Sequence, residues 1–112
     1  MEPDDPTQEL VRVETTCDSR EAARALSRNA VEARLAACGQ VEGPIASTYW
    51  WKDEVEVSEE WRVVLKTTRA RCAELVGHLR ESHTYEVPEI VVLAISGGDS
   101  AYLDWIRTET RR

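Results

Sequence analysis

The chain has 112 residues and a formal net charge of −7. That length predicts one domain with one core. Its acidic balance, with Arg scattered rather than clustered, excludes a general nucleic-acid binder, which must neutralise phosphates. Three separated cysteines, Cys17, Cys38 and Cys72, predict free thiols in a cytoplasmic protein, with neither a secretory leader nor a membrane-length apolar run in view.

Residues 1–8, carrying Glu2-Pro3-Asp4-Asp5-Pro6, read as a disordered acidic leader, and residues 9–112 as the domain. From Leu10 to Thr16, Val11 and Val13 alternate with Arg12 and Glu14, the period of a strand. Asp18 followed by Glu21 resembles a capping box opening a helix. That helix carries Ala22, Ala23, Leu26, Ala30, Ala33 and Ala37 on its buried side and is predicted to stop at Gly39. Val41 to Thr67 reads as two long strands joined by a turn at Lys52-Asp53-Glu54. Ser58-Glu59-Glu60 is expected to form a bulge or irregular stretch in the second of them. Pro44 marks the first as an edge or a break.

A second helix follows a cap at Thr67 or Thr68, with Cys72, Leu75, Val76 and Leu79 at helical spacing, and ends near Ser82. Next comes a polar lead-in, His83, Tyr85, Glu86 and Glu89 around Pro88, running into Ile90-Val91-Val92-Leu93-Ala94-Ile95. An unbroken apolar strand implies cover on both faces. Gly97-Gly98 breaks it, and Asp99 or Ser100 caps a last helix bearing Tyr102, Leu103, Trp105 and Ile106. The order β-α-β-β-α-β plus a terminal helix predicts an α+β, ferredoxin-like domain, with both crossover helices on one face of an antiparallel sheet. Its second and fourth strands would be the edges. One edge is apolar on both faces and the other carries Trp50 and Trp51, so oligomerisation by edge pairing is expected.

The lead-in at His83–Glu89 is the expected functional surface. His83 can cap the preceding helix or bind a ligand, and Glu86 and Glu89 can hold a cation or pair with Lys66. Cys38, at the end of the first helix, is either a soft metal ligand or a small buried hydrophobe. His78 is expected in solvent. Trp50, Trp51 and Trp61 read as packing or interface anchors. No CxxC or HxxxH spacing, catalytic triad order or glycine-rich phosphate loop occurs, so no enzymatic activity is expected.

Five separated segments resemble a known family: Arg34-Leu35-Ala36-Ala37-Cys38, Tyr49-Trp50-Trp51-Lys52, Leu65-Lys66-Thr67, His83-Thr84-Tyr85-Glu86-Val87-Pro88-Glu89-Ile90 and Tyr102-Leu103-Asp104-Trp105-Ile106. In order and spacing they are similar to the CutA divalent-cation-tolerance proteins, from Leu10 to Ile106. The resemblance implies a ferredoxin-like subunit in a homotrimer, a cytoplasmic setting, copper and other divalent cations as ligands, and no required cofactor. It departs at Thr84, where the family usually has Pro, and at Asp53-Glu54, where the turn usually reads Gly-Lys.

The reading that follows is a homotrimeric divalent-cation-tolerance protein binding metal ions weakly near subunit boundaries, with Cys38, His83 and Glu86 as ligands and no nucleic-acid or membrane partner. Its rivals are a module similar to the trimeric PII signalling proteins, binding a small molecule or protein in inter-subunit clefts, and an enzyme using the His83-Tyr85-Glu86 cluster.

Overall fold

A computed structural model describes residues 9–111, so the acidic leader expected at residues 1–8 lies outside the described residues. The elements are β1 (Leu10–Cys17), α1 (Arg20–Glu32), β2 (Cys38–Trp51), β3 (Glu54–Thr68), α2 (Arg69–Ser82), β4 (Ile90–Ile95) and α3 (Ser100–Glu109). The strands form one antiparallel sheet in the order β2-β3-β1-β4, with the predicted edges.

β1 organises the packing because its alternate side chains enter different cores. Val11, Val13 and Cys17 face α1 and α2, meeting Leu26, Leu75 and Leu79 together with Val63 and Leu65 of β3. Leu10 points the other way, into a smaller cluster with Ala37 and Ile106 of α3. The period of two along the strand thus allows one strand to be covered on both sides. α3 is tied down at its C-terminal end, where the Arg71 Nε donates to the Thr110 carbonyl at 2.8 Å and Arg34 donates to the Glu109 carbonyl at 3.2 Å. Cations at that end also suit the helix dipole.

Several local expectations are corrected. α1 is capped by Ser19, not Asp18: the Ser19 hydroxyl accepts from the Ala22 N–H at 3.0 Å. The helix ends at Glu32, well before Gly39. Arg34 adopts a left-handed φ of 62°, turning the chain so that Cys38 opens β2 instead of closing a helix. Gly39 then lies so close to α1 and β3 that a Cβ there would meet the Ser27 hydroxyl and approach Leu65 Cδ2 at 2.9 Å. A glycine is needed for that approach.

The hairpin turn is the two residues Lys52-Asp53, at φ 50° and 67°, with Trp51 paired to Glu54. Positive φ at both central positions is the turn form whose twist matches the flanking strands. The irregularity expected at Ser58-Glu59-Glu60 falls instead on β2, between Glu42 and Ile45 at Gly43-Pro44, while Ser58, Glu59 and Glu60 pair regularly with Ser47, Ala46 and Ile45. Proline lacks a ladder donor, so the break belongs on the edge strand that contains it. β4 is not covered on both faces within one chain: Val91, Val92 and Leu93 are 43%, 40% and 45% exposed. His78, expected in solvent, is half-buried, with its Nε2 shut off from solvent and without a hydrogen-bond partner among the described residues.

Candidate functional site

The β2–β3 hairpin runs on past the end of β1, whose last residue Cys17 pairs with Trp61. Beside this overhang lies the lead-in to β4, and between them opens a cleft of about 750 Å3. Tyr49, Trp50 and Trp51 of the hairpin form one wall, and Tyr85 to Glu89 form the other. Glu56, Glu60, Glu86 and Glu89 all contribute to it, so the cleft combines aromatic surface with negative charge.

The lead-in is held in place through His83. Its Nδ1 accepts from the Tyr85 N–H at 3.1 Å. Its Nε2 lies 2.8 Å from the Thr16 carbonyl and 3.1 Å from the Thr15 hydroxyl. A carbonyl can only accept, so Nε2 carries the proton and the ring is the neutral Nε2–H tautomer. Both imidazole nitrogens are therefore engaged within the chain, and neither faces an open coordination position. His83 thus occupies the C-cap position of α2 and also fastens the segment after that helix to β1.

Tyr85 extends the same connection to β3. Its ring lies 4.8 Å from the His83 ring, and its hydroxyl donates to Glu60 at 2.7 Å. Burial, then the bond to Glu60, hold this phenol above its ordinary pKa, because ionising it would set two anions against each other. Glu86 is exposed at the cleft wall. Glu89 receives Arg62 at 3.4 Å, and Arg62 also reaches Glu14 at 3.2 Å. Lys66 pairs with neither Glu86 nor Glu89, contrary to expectation. Its Nζ lies 3.5 Å from the Gln40 side-chain oxygen and 3.3 Å from the Tyr102 hydroxyl.

Cys38 lies elsewhere. It sits opposite Lys66 in the sheet, Lys66 sits opposite Arg12, and its sulfur is 3.4 Å from the Tyr102 hydroxyl. The His83 anchor at Thr16 is four residues further along β1 than Arg12, about 13 Å at strand rise. Within one chain Cys38 and His83 therefore do not share a site, whereas Glu86 neighbours the His83 segment. No group of three or more Cys, His, Asp or Glu among the described residues could hold a metal ion. Sequence reasoning missed Glu60, Thr15 and Thr16 as partners of the lead-in, and Tyr102 as the partner of Cys38. The strand register joins Lys66 to Cys38, but no local pattern pairs Tyr85 with Glu60.

The family model for CutA1 divalent ion tolerance proteins matches residues 11–109. The chain belongs to the CutA family. It is 40% identical over 95 residues to the divalent-cation tolerance protein CutA of Thermus thermophilus, covering 85% of this chain and 92% of that one. It is 33% identical over 111 residues to the chloroplastic CutA 1 of Oryza sativa, covering 99% of this chain and 63% of the rice protein. The chain thus spans about three fifths of the length of that plant relative. Among solved structures, CutA1 from Oryza sativa superposes with a TM-score of 0.90 at 33% identity, covering 96% and 98% of the two chains. A CutA from Archaeoglobus fulgidus, described as periplasmic, gives 0.87 at 29% identity over 91% and 99%. The CutA match extends over β1 to α3 and includes both walls of the cleft. Among the described residues no helix is long and apolar enough to cross a membrane.

Proposed function

We propose that this chain works as a homotrimeric divalent-cation-tolerance protein that binds copper or a similar divalent cation weakly near the seams between subunits. The observation that carries this reading is the pair of unsatisfied sheet edges. β4 shows Val91, Val92 and Leu93 on both of its faces, and the hairpin of β2 shows Trp50 at 73% exposure. An apolar edge of this kind needs a strand to pair with. Two different edges meeting head to tail generate a closed ring when the rotation permits, and three copies are what the family resemblance implies.

Edge pairing would bring the acidic cleft beside a neighbouring chain. Carboxylate oxygens such as those of Glu86 suit hard divalent cations, while Cys38 and His83 supply softer donors for copper. Because Cys38 and His83 stand apart in one chain, a site using both takes them from different subunits, and His83 gives up an internal hydrogen bond to join it. That exchange accounts for weak binding. The same carboxylates repel phosphate groups, which disfavours a nucleotide in this cleft. Three unpaired thiols support a reducing, cytoplasmic setting.

Light scattering on the purified protein tests the assembly. A trimer that Leu93→Lys dissociates supports it, and a monodisperse monomer at micromolar concentration overturns it. Calorimetric titration of the reduced protein with copper tests the ligands. Binding unchanged in Cys38→Ala, His83→Ala and Glu86→Gln removes the named residues.

A further inference from the structure

Glu60 is 7% exposed, yet no ion pair among the described residues includes it. Its Oε2 accepts from the Tyr85 hydroxyl at 2.7 Å. Its other oxygen accepts no hydrogen bond among the described residues, and it is not sealed from solvent. That oxygen therefore opens into the cleft, which Glu60 helps to line. A glutamate is almost never buried to this extent unless a cation accompanies it. The described residues supply none, and the open side of the carboxylate faces the cleft.

The rest of the cleft suits an extended organic cation. Across the β2–β3 ladder Tyr49 pairs with Glu56 and Ser47 with Ser58, and paired residues share a face. The Tyr49 hydroxyl lies 2.6 Å from the Ser58 hydroxyl, as one shared face requires. Alternation adds Trp51 and Glu60 to that face and assigns Trp50 to the other. One strip thus carries Glu60 at the root of the hairpin and Glu56 four residues nearer its tip, about 13 Å away at strand rise. Glu56 also forms no ion pair among the described residues. Carboxylates this far apart do not ligate one metal ion, but they match separate ammonium groups on one apolar stem. Lys52 Nζ already sits 5.6 Å from the centre of the Trp51 ring, so a cation over an aromatic ring is part of this hairpin. Pairing at the β2 edge runs through the backbone in the plane of the sheet and does not use this face.

We propose that this strip binds a linear polyamine, with one ammonium group at Glu60, another at Glu56 beside the Tyr49 ring, and the connecting methylenes against Val87 and Pro88. The inner ammonium supplies the counter-charge that Glu60 lacks, and the opposite wall covers the stem. Cys38, His83 and Glu86 take no part, so failure of the metal site leaves this one standing.

Chelator-treated protein is titrated calorimetrically at neutral pH with spermidine, with putrescine, whose ammonium groups are too close to reach both carboxylates, and with magnesium. Spermidine is expected to bind once per chain and more tightly than either control. Glu60→Gln, which keeps an oxygen for the Tyr85 hydroxyl, should weaken spermidine roughly tenfold, the order of one charge-assisted hydrogen bond. Glu56→Gln should weaken spermidine by a similar factor and leave putrescine unchanged. Tyr49→Leu should weaken spermidine roughly threefold through the lost ring face. Glu81→Gln, which removes the same charge from an exposed position of α2, should change nothing. Light scattering and melting temperature, recorded for each variant, show that assembly and fold are kept. No binding of spermidine, equal affinity for magnesium, or affinities in Glu60→Gln and Glu56→Gln no weaker than in Glu81→Gln would overturn the proposal.

Discussion

Tyr85 donates its hydroxyl proton to Glu60 across 2.7 Å, and Glu60 is only 7% exposed. This bond joins the lead-in of β4 to the root of the hairpin, so one hydrogen bond spans the inner end of the cleft. Removing the donor leaves a nearly buried carboxylate unsatisfied. Tyr85→Phe should therefore destabilise the protein by about 1–3 kcal/mol in urea unfolding. Adding Glu60→Gln to that variant should recover part of the loss, because the neutral amide costs less to bury than the charge.

His83→Ala should cost a similar amount, on the order of 1–3 kcal/mol, since it leaves both the Thr16 carbonyl and the Tyr85 N–H without their partner. The tautomer can be checked directly. Nitrogen NMR at neutral pH should show the proton of His83 on Nε2, and a proton on Nδ1 would contradict the geometry.

Alkali should destabilise the fold through Cys17. Its thiol titrates at about 11 in the folded chain against an ordinary 9.0, so the unfolded chain releases this proton first. Its stabilising contribution is complete below pH 9 and disappears as pH rises toward 11. Two units correspond to a limit of about 2–3 kcal/mol. Cys17→Ala should flatten this part of the curve of unfolding free energy against pH, after allowance for its lower overall stability. Tyr85 adds a second loss of the same sign at still higher pH.

The hairpin turn can be improved. Lys52 and Asp53 both occupy positive φ, where glycine is free of the Cβ penalty and asparagine is tolerated. Lys52→Asn combined with Asp53→Gly should raise stability by roughly 0.5–1 kcal/mol, read as a higher denaturant midpoint with an unchanged slope. Gly39→Ala should do the opposite, because its Cβ would press on Ser27 and Leu65.

Element order and the two sheet edges were legible because alternation on β1 and helical spacing on α2 report burial directly. Boundaries were less so. The alanine spacing that suggests a helix out to Ala37 continues through a turn because Ala36 and Ala37 are buried there too, in two different clusters. Pro44 did locate a break, yet Ser58-Glu59-Glu60 drew attention to the wrong strand, since polar residues at strand positions need only an open face. At the candidate site the lead-in was found from its clustered polar residues. The fastening of His83 to Thr15 and Thr16 was not, because it depends on contacts 68 and 67 residues apart. Cys38 and Lys66 are opposite one another only once the register is known.

The parity of β1 has a consequence for how this sheet can change over time. Odd positions answer to α1 and α2, and Leu10 answers to α3, so repacking beneath one layer leaves the other's fit intact. Lineages could therefore adjust the thermal robustness of the main layer without disturbing the ground on which Tyr102 stands.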